Sequence, residues 1–265
     1  MSDLPTYAVY AVKYATRTAR RGENFYLGDP HDGPMPMDYF VWAAVSPEHT
    51  VVVDAGFTAE VAVRRQRTHL RTPMEGLRLI GIDAARVRHV ILTHLHYDHV
   101  GNLDGFPAAT FSVQESEMAF WTGRHAGRGV FRTLVEPEDV LFLVRENFAR
   151  RVQYVRETAE IVPGITVHRV GGHAAGLQVV RVPTARGNVV LASDATHYYA
   201  NIDEDRPFSL VHTLPEMYDA FDTVRALADS PAHISISIIP GHDPLVMERY
   251  PAAGPGLDGI AVRIA

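Results

Sequence analysis

The chain has 265 residues, 46% of them hydrophobic and 21% charged, enough for one large domain or two small ones at roughly 100–200 residues each. Its 25 Lys and Arg against 31 Asp and Glu leave a formal net charge of −6, which argues against a mainly electrostatic grip on nucleic acid or on an anionic membrane. There is no cysteine, so disulfides, thiolate metal sites and a thiol nucleophile are excluded, whereas histidine is plentiful at 14 residues.

In chain order, residues 6–16 alternate like a strand, and residues 39–57 hold two β-rich runs parted by a turn at Pro47. Mixed polar and apolar spacing follows at 59–72 and 73–82, with Pro73 suited to a helix start. Residues 87–94 and 108–114 read as strands, and residues 115–151 as a helical insertion whose clearest helix is 137–151. Strands return at 165–170, 176–184, 187–194 and 233–241, with a hairpin turn at 185–188. Residues 214–230 form an amphipathic pattern with Met217, Phe221, Val224 and Leu227 on one stripe. The order predicts two β-then-α halves packed sheet to sheet with helices outside, one domain over 1–265, and a loosely ordered tail from Pro251. The start carries Asp3 and no long apolar run, so it does not read as a secretory leader. No apolar run reaches the roughly 18 residues of a membrane span. The expectation is a cytoplasmic protein without a membrane or nucleic-acid partner, with a homodimer as the candidate assembly.

Residues 93–101 are the most informative: Thr-His-Leu-His-Tyr-Asp-His-Val-Gly. On extended backbone His94 and His96 project to the same side, and a turn after them lets Asp98 and His99 face a neighbouring point. One metal could not comfortably take all four donors; two adjacent metals could. A solitary histidine is ordinarily a core or surface residue, but this cluster directly follows a β-branched strand and is not a terminal tag.

The HxHxDH motif at a strand end resembles the signature of the metallo-β-lactamase superfamily. The resemblance implies an α/β fold, a four-layer αβ/βα sandwich, and three further ligands at strand ends, for which His173, Asp194 and His242 stand in place. It assigns His94, His96 and His173 to one metal, Asp98, His99 and His242 to a second, and Asp194 as the bridge. Imidazole and carboxylate donors suit two divalent ions, zinc first, with manganese, iron or cobalt also accommodated. Asp54, at a strand end, has two readings: an acid that supports the ligands, or a turn cap. His31, His49, His69, His89, His125, His168, His212 and His233 occur singly and are expected to take no part.

The layout is most similar to the N-acyl homoserine lactonase branch, through Asp54-Ala55-Gly56-Phe57, residues 93–102, the helical insertion, and Ser193-Asp194-Ala195-Thr196-His197-Tyr198-Tyr199. That implies opening of a lactone by a hydroxide held between the metals. His197 or Tyr198 would polarise the carbonyl, and Asp98 or water would protonate the leaving atom. Two departures stand out: His197 occupies the branch's substrate-contacting tyrosine position, and His173-Ala174-Ala175-Gly176-Leu177 lacks the usual proline and second histidine. Phe57, Met118, Trp121 and Phe142 are candidates to line an apolar pocket; the competing reading packs the insertion's aromatics onto the body. A cyclic amide or imide hydrolase is the runner-up. A phosphodiesterase of the same fold would want a basic surface, and Arg64–Arg67 and 148–156 read instead as solvated helix faces. No G-x-S-x-G elbow competes, and a decayed, purely metal-binding domain would not keep every ligand.

Overall fold

A computed structural model describes residues 5–228 and 237–265; Asp3, His233 and the first part, 233–236, of the strand expected at 233–241 lie outside the described residues. The first half opens with β1 (Ala8–Arg17), β2 (Met37–Val45) and β3 (Thr50–Val53), an antiparallel meander in which Trp42 lies opposite Val53 and Ala11 opposite Trp42. Helix α1 (Ala59–Arg64) follows, capped by the Thr58 hydroxyl, which accepts from the Val61 amide. Then come the short strand β4 (Thr68–His69) and α2 (Pro73–Leu79). Pro73 does begin that helix, and Thr72 and Glu75 close its first turn reciprocally.

Strands β5 (His89–Ile91), β6 (Thr110–Gln114) and β7 (Val152–Val155) then add in parallel to β3, with the single-turn helix α3 (Tyr97–Val100) between β5 and β6. Between β6 and β7 run three helices, α4 (Glu115–Trp121), α5 (Gly129–Arg132) and α6 (Pro137–Phe148). The second half contributes β8 (Thr158–Val162), β9 (Ile165–Arg169), β10 (Gln178–Thr184), β11 (Gly187–Ser193) and β12 (Ile238–Pro240), in spatial order β12-β11-β10-β9-β8. Helices α7 (Tyr199–Asp203), α8 (Leu214–Leu227) and α9 (Leu245–Arg249), with β13 (Ala261–Arg263), complete the described chain.

The strand period of two sorts side chains into layers. Trp42, Phe40, Val53 and Ile91 of the first sheet meet Val167, Val180, Val182 and Leu191 of the second in a dry inter-sheet core. Residues of the opposite parity, among them Val41, Val52 and Val90, pack on the helices over the first sheet. Val179, Val190 and Ala192 face Phe221 and Val224 of α8. The result is the expected four-layer αβ/βα sandwich. Trp42 is fully buried in the central layer, and its replacement by alanine should cost about 3–5 kcal/mol.

Three local expectations change. Residues 152–155 are a strand, not a helix face, because Tyr154 and Gln153 keep solvent-side positions while the backbone pairs with β6. Thr68 and His69, in a run whose mixed spacing marked no strand, pair with β1. The tail beyond Pro251 is ordered: β13 pairs with β1, and Ala261, Val262 and Ile264 are buried. No helix of the described residues is long and apolar enough to cross a membrane.

Candidate metal centre

Strand β5 delivers the histidine cluster to one edge of the sheets. After Ile91 the chain leaves the strand, bends at Thr93 and reaches His96, whose extended backbone precedes a single helical turn, α3 (Tyr97–Val100). Asp54, at the end of β3, adopts a left-handed backbone (φ 64°), a conformation costly for a residue with a Cβ and found where a site needs a side chain aimed. Its carboxylate is fully buried and accepts from the Thr93 amide and hydroxyl, each at 2.8 Å, and from His99 Nδ1–H at 2.7 Å. Of the two readings of Asp54, the geometry realises the supporting acid.

The imidazoles are oriented through the nitrogen that faces away from the cluster. His99 Nδ1–H goes to Asp54, His173 Nδ1–H to the Leu210 carbonyl at 3.0 Å, His242 Nδ1–H to the Asp38 carbonyl at 2.9 Å, and His94 Nδ1–H to the Thr93 hydroxyl at 3.1 Å. Each bond fixes a tautomer and turns Nε2 inward. His96 is the exception and turns Nδ1 inward, 2.9 Å from both His94 Nε2 and His173 Nε2. His94, His96, His173 and Asp194 thus present donor atoms within 4.8 Å of one another, as do Asp98, His99 and His242.

Asp194 lies between the two groups. Its Oδ2 is 3.7 Å from His94 Nε2 and 3.2 Å from His173 Nε2, while its Oδ1 is 3.4 Å from His99 Nε2 and 3.1 Å from His242 Nε2. Neighbouring backbone must approach closely here: a Cβ on Gly241 would stand 2.8 Å from Asp194 Oδ1. Burial opposes ionisation of Asp194, yet His197, His242 and His99 together outweigh it and hold its carboxyl well below the usual range. Burial pushes His94 and His96 well below the ordinary histidine value, so both remain neutral, the form that ligates metal. Around His99 burial is overcome by Asp194, Asp54 and Asp98, which raise it; these three carboxylates make the spot attractive to cations. His99 Nε2 is buried without a hydrogen-bond partner. This donor set, one orphaned inward nitrogen and a carboxylate with an oxygen for each group fit two divalent ions.

A family model described as the metallo-beta-lactamase superfamily matches residues 35–242. The chain belongs to the metallo-beta-lactamase superfamily. Superfamily relatives include N-acyl homoserine lactonase AttM of Azorhizobium caulinodans, 28% identical over 246 residues that cover 82% of this chain and 85% of the relative. An N-acyl homoserine lactonase of Bacillus thuringiensis is 24% identical over 64% of this chain and 69% of its own. Among solved structures, a quorum-quenching N-acyl homoserine lactone lactonase superposes with a TM-score of 0.75 at 18% identity, over 92% of this chain and 95% of that one. AidC, a dizinc quorum-quenching lactonase, gives 0.68 at 15% identity, over 92% of each. These two likenesses bear on the fold.

In this superfamily member the donor atoms open onto a cavity of about 310 Å³ lined by His96, Asp98, His173, Asp194, His197 and His242, together with Met37, Tyr39, Phe208 and Leu210. His197 lies flat on Phe208, with ring centroids 3.5 Å apart, and donates Nε2–H to Asp194 Oδ2 at 3.0 Å. Burial pushes its pKa down to about 3.

Tyr198 does not reach the cavity: its phenol donates to the Pro36 carbonyl at 3.2 Å and accepts from Asn24 Nδ2 at 3.0 Å, because it precedes α7 with its ring turned into the core. Of the four pocket candidates, Trp121 lines a small cleft beside His96 and His173. Phe57 is instead fully buried among Tyr14, Tyr39 and Tyr97. Met118 packs in the helix-side core, and Phe142 packs edge-on against Phe111. The inward stripe of an amphipathic helix reads alike whether it faces a pocket or a core.

Sequence reasoning missed Glu117. Its buried carboxylate accepts from the Leu95 amide at 3.0 Å, Trp121 Nε1–H at 2.7 Å and the Gly176 amide at 2.6 Å. It therefore ties the His94–His96 segment to the loop that carries His173. Gly176 has no room for a Cβ, which would stand 2.5 Å from the Glu117 amide. A glutamate opening a helix has no sequence signal for this role.

Proposed function

We propose that the chain is a dinuclear, zinc-dependent hydrolase that opens a lactone ring, an N-acyl homoserine lactone or a similar cyclic ester. The reading is carried by one observation: Asp194 turns one oxygen to each of two histidine-rich donor groups at the floor of a cavity. The names of the curated relatives supply the substrate class. His94, His96 and His173 would hold one metal, Asp98, His99 and His242 the other, and Asp194 both. When bound, such a pair supplies a nucleophile at neutral pH and charge stabilisation for acyl transfer.

The chain's own residues do the rest. Ring opening adds water across the acyl C–O bond: the acyl carbon gains a hydroxyl and the ring oxygen a hydrogen, giving a hydroxy acid. Asp98, whose side chain lines the cavity, is assigned the relay of that proton to the ring oxygen. His197, neutral and clamped on Phe208, holds the orientation of Asp194. The cleft formed by Phe120, Trp121, Phe131 and Leu134 beside His96, about 20 Å³ in volume, has room for the tip of an apolar substituent on the ring. Residues 115–151 act in this reading as an insertion that walls the site within one domain.

The test is metal analysis of purified protein with turnover of N-hexanoyl homoserine lactone, a cyclic amide and a phosphodiester. Two zinc ions per chain and lactone opening are expected. Turnover of the phosphodiester alone would overturn the reading.

A further inference from the structure

The cavity carries two guanidinium groups that no carboxylate among the described residues meets at ion-pair distance. Arg17, Arg65 and Arg67 line the same space as Asp98 and Asp194. Arg65 is engaged elsewhere: it pairs with Glu136 at 2.8 Å, donates to the Thr133 carbonyl at 2.7 Å and lies over the Tyr97 ring at 3.8 Å. Arg67 hydrogen-bonds only to neutral groups, the Tyr97 phenol at 3.2 Å and the Arg65 carbonyl at 2.6 Å, with Asp98 acting on it at longer range. Arg17 makes no hydrogen bond or ion pair among the described residues, and its Nε is buried without a partner. The cavity's two carboxylates are directed at the histidine cluster, and neither comes within ion-pair distance of Arg17 or Arg67.

The placement of these two arginines comes from the sheet itself. Strand β1 pairs with β4 through Ala15–His69 and Thr16–Thr68, so Arg17, the residue after Thr16, and Arg67, the residue before Thr68, leave the same end of that short ladder and line the same cavity. Like charges on one cavity wall repel. Guanidinium stays protonated at any relevant pH, and half-buried charges ordinarily find a counter-ion. Arg17 is also anchored on its other side, opposite Met37, one residue before the Asp38 carbonyl that holds His242. Arg17 at the end of β1 and Arg67 just before β4 therefore line the cavity that the proposed ligands also line.

We propose that Arg17 and Arg67 form a receptor for a carboxylate carried by the substrate outside its scissile ring, so that the preferred lactone is an anionic one. The proposal rests on the ring-opening reading for its reaction and on the arginine pair for its specificity. A planar, fixed pair of guanidinium donors matches a carboxylate with two or more charge-assisted hydrogen bonds. A neutral lactone leaves the repulsion between the two arginines in place.

The experiment compares kcat/KM of the zinc-loaded protein for 5-oxotetrahydrofuran-2-carboxylate and for its methyl ester, with N-hexanoyl homoserine lactone as the neutral reference. The wild type should favour the acid over the methyl ester by about tenfold or more. In Arg17→Gln and in Arg67→Gln that ratio should fall towards one, and Arg17→Lys should restore part of it. Folding of each variant is checked by its thermal transition. A wild-type ratio near one, or a ratio that survives both glutamine variants, overturns the receptor even while N-hexanoyl homoserine lactone is opened. If no lactone is opened, the ring-opening reading has failed, and calorimetric binding of glutarate against butyrate decides the receptor separately. Glutarate should bind about tenfold more tightly to the wild type than butyrate does, with the advantage lost in Arg17→Gln; equal affinities overturn the proposal.

Discussion

The two halves of the chain build their shares of the metal centre by different means. The first half places His94, His96, Asp98 and His99 on one short segment, and side chains hold that segment in shape. Asp54 grips Thr93 and His99, Glu117 grips the Leu95 amide, and the Tyr14 phenol donates to the Asp98 carbonyl at 2.8 Å. The second half contributes His173, Asp194 and His242 singly from three separated places, and main-chain carbonyls orient two of them, through Leu210 and Asp38. A contiguous segment needs buried carboxylates to keep four donors converging. Isolated donors at strand ends inherit their direction from the sheet.

That contrast makes ordered predictions. Asp194→Ala removes the donor that the proposed assignment gives to both groups, so zinc content should fall to less than one ion per chain and activity by more than about 100-fold, beyond what loss of a supporting residue costs. Retention of two ions would mean that the halves bind independently. Asp54→Asn weakens one side-chain grip on the first-half segment and should lower zinc affinity about 10–100-fold, read by competition with a chelator. An effect as large as that of Asp194→Ala would remove the distinction between ligand and support.

Glu117→Gln keeps the shape but replaces a charged acceptor of three N–H groups with a neutral one. A stability loss of about 1–3 kcal/mol is expected, with a smaller loss of zinc affinity than in Asp54→Asn, since no ligand touches Glu117 directly. Asp139, at the first turn of α6, is the control: a half-buried carboxyl that holds no ligand segment. Its Oδ2 has no hydrogen-bond partner, and burial, then Glu136, raises its pKa to about 7. The folded chain there retains a proton that the unfolded chain releases at lower pH. Its contribution to stability is therefore present at acid pH and is lost as pH rises towards 7. Asp139→Asn should melt higher than the wild type at pH 8, with the difference shrinking at pH 5 and zinc affinity unchanged; an unchanged melting difference across that range would remove the assigned proton.

The same contrast decides which parts of the molecule are legible in its sequence. The four donors of residues 94–99 announce themselves because their spacing is local. His173, Asp194 and His242 are legible only through a family resemblance, since nothing in one sequence says which strand ends meet. The sandwich follows from the alternation of buried and exposed positions, but β7, β8 and β13 are short and lack flanking signals strong enough to mark them. Tyr198, Phe57, Met118 and Phe142 mislead because an apolar side chain near a site reads the same whether it faces a cavity or the core. Glu117, Arg17 and Arg67 carry no signal because their meaning lies in partners, or in the lack of them, far along the chain.

Thr93 touches both sheets at once: its hydroxyl meets Asp54 at the end of β3 and lies 3.0 Å from the Ser193 hydroxyl at the end of β11. The metal ligands straddle the same seam, above the dry core between the sheets. Filling them would rivet the two layers, so a bound metal pair would be thermodynamically linked to the sandwich as a whole. A chelated chain should then melt at lower temperature in a single transition, losing inter-sheet cohesion together with its catalytic centre.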